Sequence, residues 1–355
     1  MDKDTEKMRD GATQCNNSAE YINGEIPSLT KQDQKELSSL EKWKRKRTVR
    51  NAKLLFRAID VLFKKAQNSC PYVDKDNAKS IHCIKDIVYD EAHAEVCKFD
   101  FYRKKTGGKL PAVILIHGGG FIAGDKKYRR GRAQYFALNG FAVFCINYGL
   151  APDFTFPEPL IHIVTAANYI YDNAEKYNID IGKIFVDGDS AGGYYAAMLS
   201  AFNCNDKLKE VFGCAPKFRI FGALYNCGVY DMQTVIDTKY PFDIADGVIL
   251  SLTGVRSSDF ESYEHKDYCV PIEFVSADYP PTFLIYSDND TFCKGQGNKM
   301  LAALDSVGVY CEHYVARHST SNHCFSLTWT GEDASVANEL MMSFAKRLAA
   351  DKIKL

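Results

Sequence analysis

One serine of this chain is flanked by glycines in a pattern that can make a hydroxyl a nucleophile. The segment Gly188–Gly192 reads Gly-x-Ser-x-Gly and follows a short apolar run, Ile184–Val186. A strand must turn sharply into a helix at Ser190, and glycines, which lack Cβ, let strand and helix approach closely. The pattern alone also fits an inert glycine-rich turn. The apolar segment Tyr194–Phe202, typical of a buried helix, favours the chemical interpretation.

A serine hydroxyl needs a general base, because it is a poor nucleophile near neutral pH. His323 lies between the last predicted strand and the last predicted helix. That loop belongs to the carboxyl edge of the sheet, where Ser190 also lies. His313, inside the strand, and His318, three residues after it, are the competing candidates. The loop position favours His323 as the base.

The base needs a carboxylate that fixes its tautomer and stabilises the imidazolium. Asp288 and Asp290 directly follow the apolar run Phe283–Tyr286, and either could reach the histidine. Asp290 lies further into the loop and is the preferred candidate. Both carboxylates could instead cap the next helix.

A glycine triplet after another apolar run could stabilise the negative charge that develops on the attacked carbonyl oxygen. Gly118–Gly120 can turn successive amides into a cavity, and the Ala191 amide would join them. We predict an oxyanion hole from the amides of Gly118, Gly119 and Ala191. A flexible loop or a phosphate cradle are the alternatives, but the Gly-Lys-Ser/Thr of a phosphate loop is missing.

Together these motifs resemble the hormone-sensitive-lipase-like family of α/β-hydrolase carboxylesterases and lipases. The resemblance covers about Leu110 to Leu348. It rests on five segments: His117–Phe121, Tyr148–Asp153, Gly188–Gly193, the Asp290 loop and His323–Phe325. The nucleophile–acid–histidine order of Ser190, Asp290 and His323 is that of α/β-hydrolases.

The resemblance implies hydrolysis of carboxylic esters, usually short-acyl, through an acyl-enzyme intermediate. It implies Ser190 as nucleophile, His323 as proton shuttle and Asp290 as orienting acid, with no metal or cofactor. Amide or peptide hydrolysis by the same triad is one alternative. A non-catalytic small-molecule-binding relative is another, although such relatives typically lose a triad residue.

Three positions depart from the family pattern. Gly149 stands where the family has arginine, so an ion pair would be lost there. Thr291 replaces the proline common after the acid. Cys324 replaces the glycine common after the histidine, which puts a thiol beside the base. None of these changes removes a predicted triad member.

The elements that would position these residues alternate between strand and helix, which predicts an α/β fold with a mainly parallel central sheet covered by helices on both faces. The predicted strands are Ser80–Tyr89, Ala94–Tyr102, Pro111–Ile116, Phe141–Ile146, Ile184–Val186, Phe218–Tyr225, Thr282–Tyr286 and Val309–Val315. Helices are predicted over Arg130–Asn139, from about Pro157 or Pro159 to Ala174, after Ser190, over Gly297–Val307 and over Ala334–Ala349.

The α/β-hydrolase core is predicted over residues 71–230 and 278–355. Residues 1–30 are expected to be mobile, and the resemblance implies a helical cap built from residues 31–70 and the insertion 231–277. The N-terminal cap helix has an apolar face formed by Leu54, Leu55, Ala58, Ile59, Leu62 and Phe63. Four aromatic side chains of the insertion would suit an apolar acyl pocket or the core of the cap: Tyr240, Phe242, Phe260 and Tyr263.

The composition of the 355-residue chain restricts the classes of partner that we expect it to bind. Its net charge of −1 favours neither nucleic acid nor an anionic membrane, and the basic run 42–47 is interpreted as the solvated side of a helix. Residues 1–20 are polar and contain no apolar segment of a secretory signal, and no run approaches the roughly 18 apolar residues of a membrane span, so neither is expected. The twelve cysteines show no Cys-x-x-Cys pair, which indicates reduced thiols and a cytoplasmic location. A small-molecule ester is the expected partner, and a homodimer is left open.

Overall fold

The computed structural model describes residues 31–68, 70–105, 107–238, 240 and 244–353, without the side chains of residues 31–37, 67 and 68. The segment predicted to be mobile, residues 1–30, and Phe242 lie outside the described residues. Contacts divide the chain into two units, residues 1–44 and 45–355, and the sheet belongs to the second.

Eight strands form one sheet. Their bounds are β1 Ile81–Val88, β2 Lys98–Lys104, β3 Leu110–Ile116, β4 Ala142–Ile146, β5 Ile179–Asp189, β6 Gly222–Asn226, β7 Thr282–Ser287 and β8 Cys311–Ala316. The spatial order is β1-β2-β4-β3-β5-β6-β7-β8. The pairs β1–β2 and β2–β4 are antiparallel, and every pair from β4 to β8 is parallel. The prediction of a mainly parallel sheet is therefore confirmed.

Eleven α-helices are present in the described residues. They are α1 Lys31–Asn68, α2 Lys75–Ser80, α3 Arg130–Leu138, α4 Glu158–Asp172, α5 Ala174–Tyr177, α6 Ala191–Ala201, α7 Asp206–Phe212, α8 Met232–Asp237, α9 Ile244–Thr253, α10 Gln296–Ser306 and α11 Glu332–Ala349. No helix in this part of the chain combines the length and apolarity needed to cross a bilayer.

The central strands are apolar on both faces because helices cover both faces. Ile114 and Ile116 of β3 pack into one core cluster, which includes residues of α4 and α6. Val113 and Leu115, which point the other way, pack with residues of α3 and α11. This two-layer burial confirms the α/β-hydrolase architecture and leaves the loops at the carboxyl edge as the place for a site.

The apolar face predicted for α1 is partly wrong. The stripe that the structure buries is Ala52, Phe56 and Asp60, whereas Leu54 and Leu62 are exposed. Asp60 accepts a hydrogen bond from the amide of Gly124 at 2.9 Å. A count of apolar residues misses such a polar anchor, which turns the helix away from its most apolar side.

The segment predicted as a cap insertion contains α8, α9 and three short 3₁₀ helices among its described residues. Tyr263, predicted for an acyl pocket or a cap core, is buried, and its hydroxyl donates to the Phe156 carbonyl at 2.7 Å. Phe260 is buried beside it, with a ring centroid 6.4 Å away. Both rings belong to the large core cluster that also contains Phe156 and Tyr194.

We predict that Gly192→Ala lowers the free energy of unfolding by about 3 kcal/mol or more, because overpacking against rigid groups is costly. A Cβ on Gly192 would lie 2.2 Å from the Ile116 carbonyl oxygen, where α6 crosses β3. Urea unfolding followed by circular dichroism measures the loss.

Gly182→Ala is the matched control. Its Cβ would meet nothing closer than Asp180 Oδ1 at 3.4 Å, so a change of less than about 1 kcal/mol is expected. Equal stabilities of the two variants would contradict the close approach of α6 to β3.

Candidate active site

Ser190 occupies the sharp bend between β5 and α6. Its backbone angles, φ 53° and ψ −120°, lie outside the regions that residues other than glycine commonly adopt. The Ser190 amide donates to the Asn226 carbonyl of β6 at 2.9 Å, which ties the bend to the neighbouring strand. A strained backbone conformation persists only when the surrounding structure holds it in place. Here the parallel strands on either side of β5 do so.

The structure brings Ser190, His323 and Asp290 into one hydrogen-bonded chain. The Ser190 hydroxyl lies 2.9 Å from His323 Nε2. His323 Nδ1 lies 3.0 and 2.9 Å from the two oxygens of Asp290. With Nδ1–H donating to the carboxylate, Nε2 keeps a lone pair that can accept the serine proton.

The Asp290 carboxylate is buried and held in its charged form. Its Oδ1 accepts hydrogen bonds from the amides of Phe292 and Cys293 at 2.8 and 2.7 Å. Burial raises the pKa of Asp290, but the charge and hydrogen bond of His323 and the two amides outweigh it, so the pKa is below its ordinary value. Asp290 is therefore ionised near neutral pH, as an orienting acid must be.

The competing candidates lie elsewhere. Asp288 is half-exposed and faces Arg317 at 3.8 Å. His313 is exposed on β8, and His318 hydrogen bonds with the Thr320 hydroxyl at 2.9 Å. None of these side chains hydrogen bonds with Ser190 or His323 among the described residues. The geometry thus favours Asp290 and His323.

The oxyanion-hole prediction needs one correction. The amide of Gly118 donates to Asp189 Oδ2 at 3.2 Å, so it is not available for a substrate oxygen. The amides of Gly119, Gly120 and Ala191 have no acceptor among the described residues. Gly120 also lines the cavity at Ser190 together with Ala191, which makes it the better candidate.

Sequence analysis missed the ion pair beneath this loop. Arg129 Nε and Nη2 each donate to an Asp189 oxygen at 2.5 Å, and both side chains are buried. The Coulombic pull of Asp189 helps to hold the pKa of Arg129 above its usual value despite burial. The sequence shows an aspartate next to the serine, but its partner lies 60 residues away, and no local pattern relates the two.

His117, which opens the glycine loop, is also buried. Burial, opposed by its bond to the Gly118 carbonyl, lowers the pKa of His117 to about 4. Its ring stacks on Tyr148 at 4.6 Å, and the Tyr148 hydroxyl donates to the His117 carbonyl at 2.6 Å. A neutral, stacked His117 fixes the start of the loop, and its ring hydrogen bonds with the Gly118 carbonyl.

A small apolar cavity of about 20 Å³ lies against Ser190. Apolar and aromatic side chains line it: Phe56, Phe121, Val229, Val235, Tyr240, Ile244, Val248 and Phe292. Tyr240 was among the four aromatic residues proposed for such a pocket. A more polar cavity of about 550 Å³ lies behind the loop, beside Asp60 and His117, and does not include Ser190.

Three sets of described side chains could hold a metal ion. Two of them include His323, one with Cys227 and Cys324 and one with Asp290 and Cys293. The third consists of Asp90, His93 and His162.

Comparison with known proteins gives a family and a fold. The BD-FAE family model matches residues 99–304, which include Ser190 and Asp290 and end before His323. Among solved structures, esterase B of Lactobacillus rhamnosus superposes with a TM-score of 0.75 at 20% identity, covering 87% of this chain and 97% of its own. That likeness shows the shared fold.

Two curated relatives align with more than half of the chain. An alpha/beta hydrolase of Acanthamoeba polyphaga mimivirus is 28% identical over 216 residues, 58% of this chain and 59% of the relative. A Mycobacterium tuberculosis protein named carboxylic ester hydrolase LipM is 27% identical over 213 residues, 58% of this chain and 48% of the relative. The alignment thus spans only about half the length of these relatives.

We predict that Arg129→Met lowers the free energy of unfolding by about 3–5 kcal/mol, because it leaves the buried Asp189 carboxylate without its partner. Chemical denaturation measures the loss. Lys217→Met, which breaks the half-exposed pair with Asp172, is the control and should cost at most about 1 kcal/mol. Similar losses in the two variants would show that the buried pair is dispensable.

Proposed function

The chain belongs to the BD-FAE family, and on this basis we propose that it is a serine carboxylesterase that works through an acyl-enzyme intermediate. The observation that carries the proposal is the hydrogen-bonded chain Ser190–His323–Asp290, which lies beside amides without an acceptor in the described part of the chain. The name of the LipM relative supports the same activity.

In the first half of the reaction, Ser190 Oγ attacks the ester carbonyl carbon while its proton moves to His323 Nε2. Asp290 stabilises the resulting imidazolium. The carbonyl oxygen becomes an oxyanion, which accepts hydrogen bonds from the amides of Gly119, Gly120 and Ala191. His323 then returns the proton to the departing alcohol, leaving an acyl group on Ser190.

In the second half, a water molecule takes the place of the alcohol. His323 Nε2 removes a proton from this water, which attacks the acyl carbon and re-forms the oxyanion. Collapse releases the carboxylic acid and returns the proton to Ser190. These steps need only the side chains and amides described above.

Short-acyl esters are the proposed substrates. The cavity at Ser190 is narrow and apolar, and Phe56 of α1 stands over it beside Gly120. An apolar pocket of this size favours a small acyl group, because every additional acyl methylene that does not fit weakens the binding of the transition state. We place the enzyme in the cytoplasm, since all eleven described cysteines are free thiols.

Ser190→Ala is expected to abolish turnover of p-nitrophenyl acetate while leaving the circular dichroism spectrum unchanged. A phosphonate probe should label the wild-type protein at Ser190 and leave the variant unlabelled. Retained turnover in the variant would refute the proposal, and a parallel assay on p-nitroacetanilide separates esterase from amidase activity.

The assignment of the acid is tested by a matched pair of variants. Asp290→Asn should lower kcat by roughly 10⁴-fold, because the amide favours the wrong tautomer of His323. Asp288→Asn, two residues away and half-exposed, should leave kcat within about twofold. The reverse result would assign the role to Asp288.

Phe56→Ala is expected to change acyl preference. Wild-type kcat/KM on p-nitrophenyl esters from two to sixteen carbons should fall with chain length beyond the shortest esters. Removing the ring should raise the hexanoate-to-acetate ratio of kcat/KM by about 10-fold or more, because the cavity gains room for methylenes. Leu62→Ala, on an exposed part of the same helix, should leave the ratio unchanged. An unaltered ratio in Phe56→Ala would exclude this cavity as the acyl pocket.

A further inference from the structure

Three buried cysteines surround the acid and the base. Cys227 directly follows β6, Cys293 lies three residues after Asp290, and Cys324 follows His323. The proposed esterase chemistry uses none of them. Their shared position beside His323 therefore calls for a separate explanation.

The sulfur atoms lie close enough to act together. The sulfurs of Cys227 and Cys324 and a ring nitrogen of His323 all lie within 4.8 Å of one another. The Cys227 thiol also lies against the Asp290 carboxylate. A carboxylate oxygen of Asp290, the Cys293 sulfur and a His323 nitrogen form a second group within the same limit.

Two thiolates and an imidazole are a donor set that zinc and other soft divalent cations prefer. Zinc–sulfur bonds of about 2.3 Å and zinc–nitrogen bonds of about 2.0 Å place tetrahedral ligand atoms roughly 3.5–3.8 Å apart. The three atoms lie within 4.8 Å of one another, so each pair needs to approach by at most about 1.3 Å to reach that spacing. A carboxylate oxygen of Asp290 is within reach as a fourth ligand.

We propose that Cys227, Cys324 and His323 form an inhibitory binding site for a soft divalent cation such as Zn²⁺. The binding stands on the donor set alone, whereas the inhibition rests on the esterase activity proposed above. Binding displaces the two thiol protons and joins two sulfurs and one ring nitrogen to the cation.

The cation inhibits the enzyme whether it binds Nε2 or Nδ1 of His323. At Nε2, the cation takes the lone pair that accepts the Ser190 proton. At Nδ1, the cation displaces the Asp290 hydrogen bond and leaves the ring proton on Nε2, which can then no longer act as a base. The side chain of His323 is 11% exposed, so the cation can approach from its solvent side.

The third set of possible ligands is less suited to a metal. His162 Nδ1 accepts a hydrogen bond from the Gly149 amide at 3.2 Å, so a neutral ring carries its proton on Nε2. His93 Nδ1 already pairs with Asp90 at 2.9 Å. These contacts account for the cluster as a hydrogen-bonded network.

The decisive experiment is a Co²⁺ titration of the reduced full-length protein, because tetrahedral thiolate-bound cobalt has a charge-transfer band that carboxylate- or imidazole-bound cobalt lacks. We expect a band that saturates at one cobalt per chain and is lost on addition of Zn²⁺. The Cys227→Ser/Cys324→Ser variant should lack the band. Cys145→Ser, which removes a buried thiol in β4, is the control and should retain it.

Zn²⁺ inhibition is measured on the same proteins. The concentration of Zn²⁺ that halves turnover should rise at least about 100-fold in the double variant and stay unchanged in Cys145→Ser. A chelator, but not a thiol reductant, should restore wild-type turnover, which separates metal binding from disulfide formation. Cys324→Gly, tested alone, covers the case in which the double variant fails to fold.

Absence of the thiolate band from the wild-type protein would overturn the proposal, as would a band or a Zn²⁺ sensitivity that survives in the folded variants. Ser190→Ala should still bind Co²⁺ with the thiolate band. A thiolate band in a protein without esterase activity would refute the proposed function and leave the metal site standing.

Discussion

The buried ion pair between Arg129 and Asp189 connects the two parts of the candidate site. Asp189 immediately precedes Ser190 at the end of β5, and one of its oxygens also accepts the Gly118 amide. A charge buried in this way is tolerated only because it is paired and hydrogen bonded. One carboxylate therefore fixes the position of the serine relative to Gly118. The positions of the next two residues, Gly119 and Gly120, depend on the same contact.

Much of the fold was predictable because its signals are local. Continuous apolar runs marked the strands, and the Gly-x-Ser-x-Gly segment marked the bend, since each depends on residues that are neighbours in sequence. The family match and the fold comparison confirm the resemblance to hormone-sensitive-lipase-like α/β-hydrolases. The loop position that favoured His323 and Asp290 reflects the same rule, that parallel strands end at one edge.

The remainder depends on partners distant in sequence. The occupied amide of Gly118 follows from Arg129 and Asp189, which no local pattern connects. The rotation of α1 depends on the hydrogen bond that the Gly124 amide donates to the Asp60 carboxylate. Gly149, where an ion pair seemed lost, instead leaves room for a ring, because a Cβ there would lie 2.5 Å from Phe154.

One consequence concerns the second half of α1, which holds no reacting group. Phe56 lies where a side chain on Gly120 would be, and Asp60 accepts a hydrogen bond from the Gly124 amide. Two successive turns of this helix therefore contact the glycine segment Gly118–Gly124. Loss of these two contacts would therefore release the glycine segment without changing Ser190, Asp290 or His323. The amides that face Ser190 are thus held in place from outside the sheet, by a segment that takes no part in the chemistry.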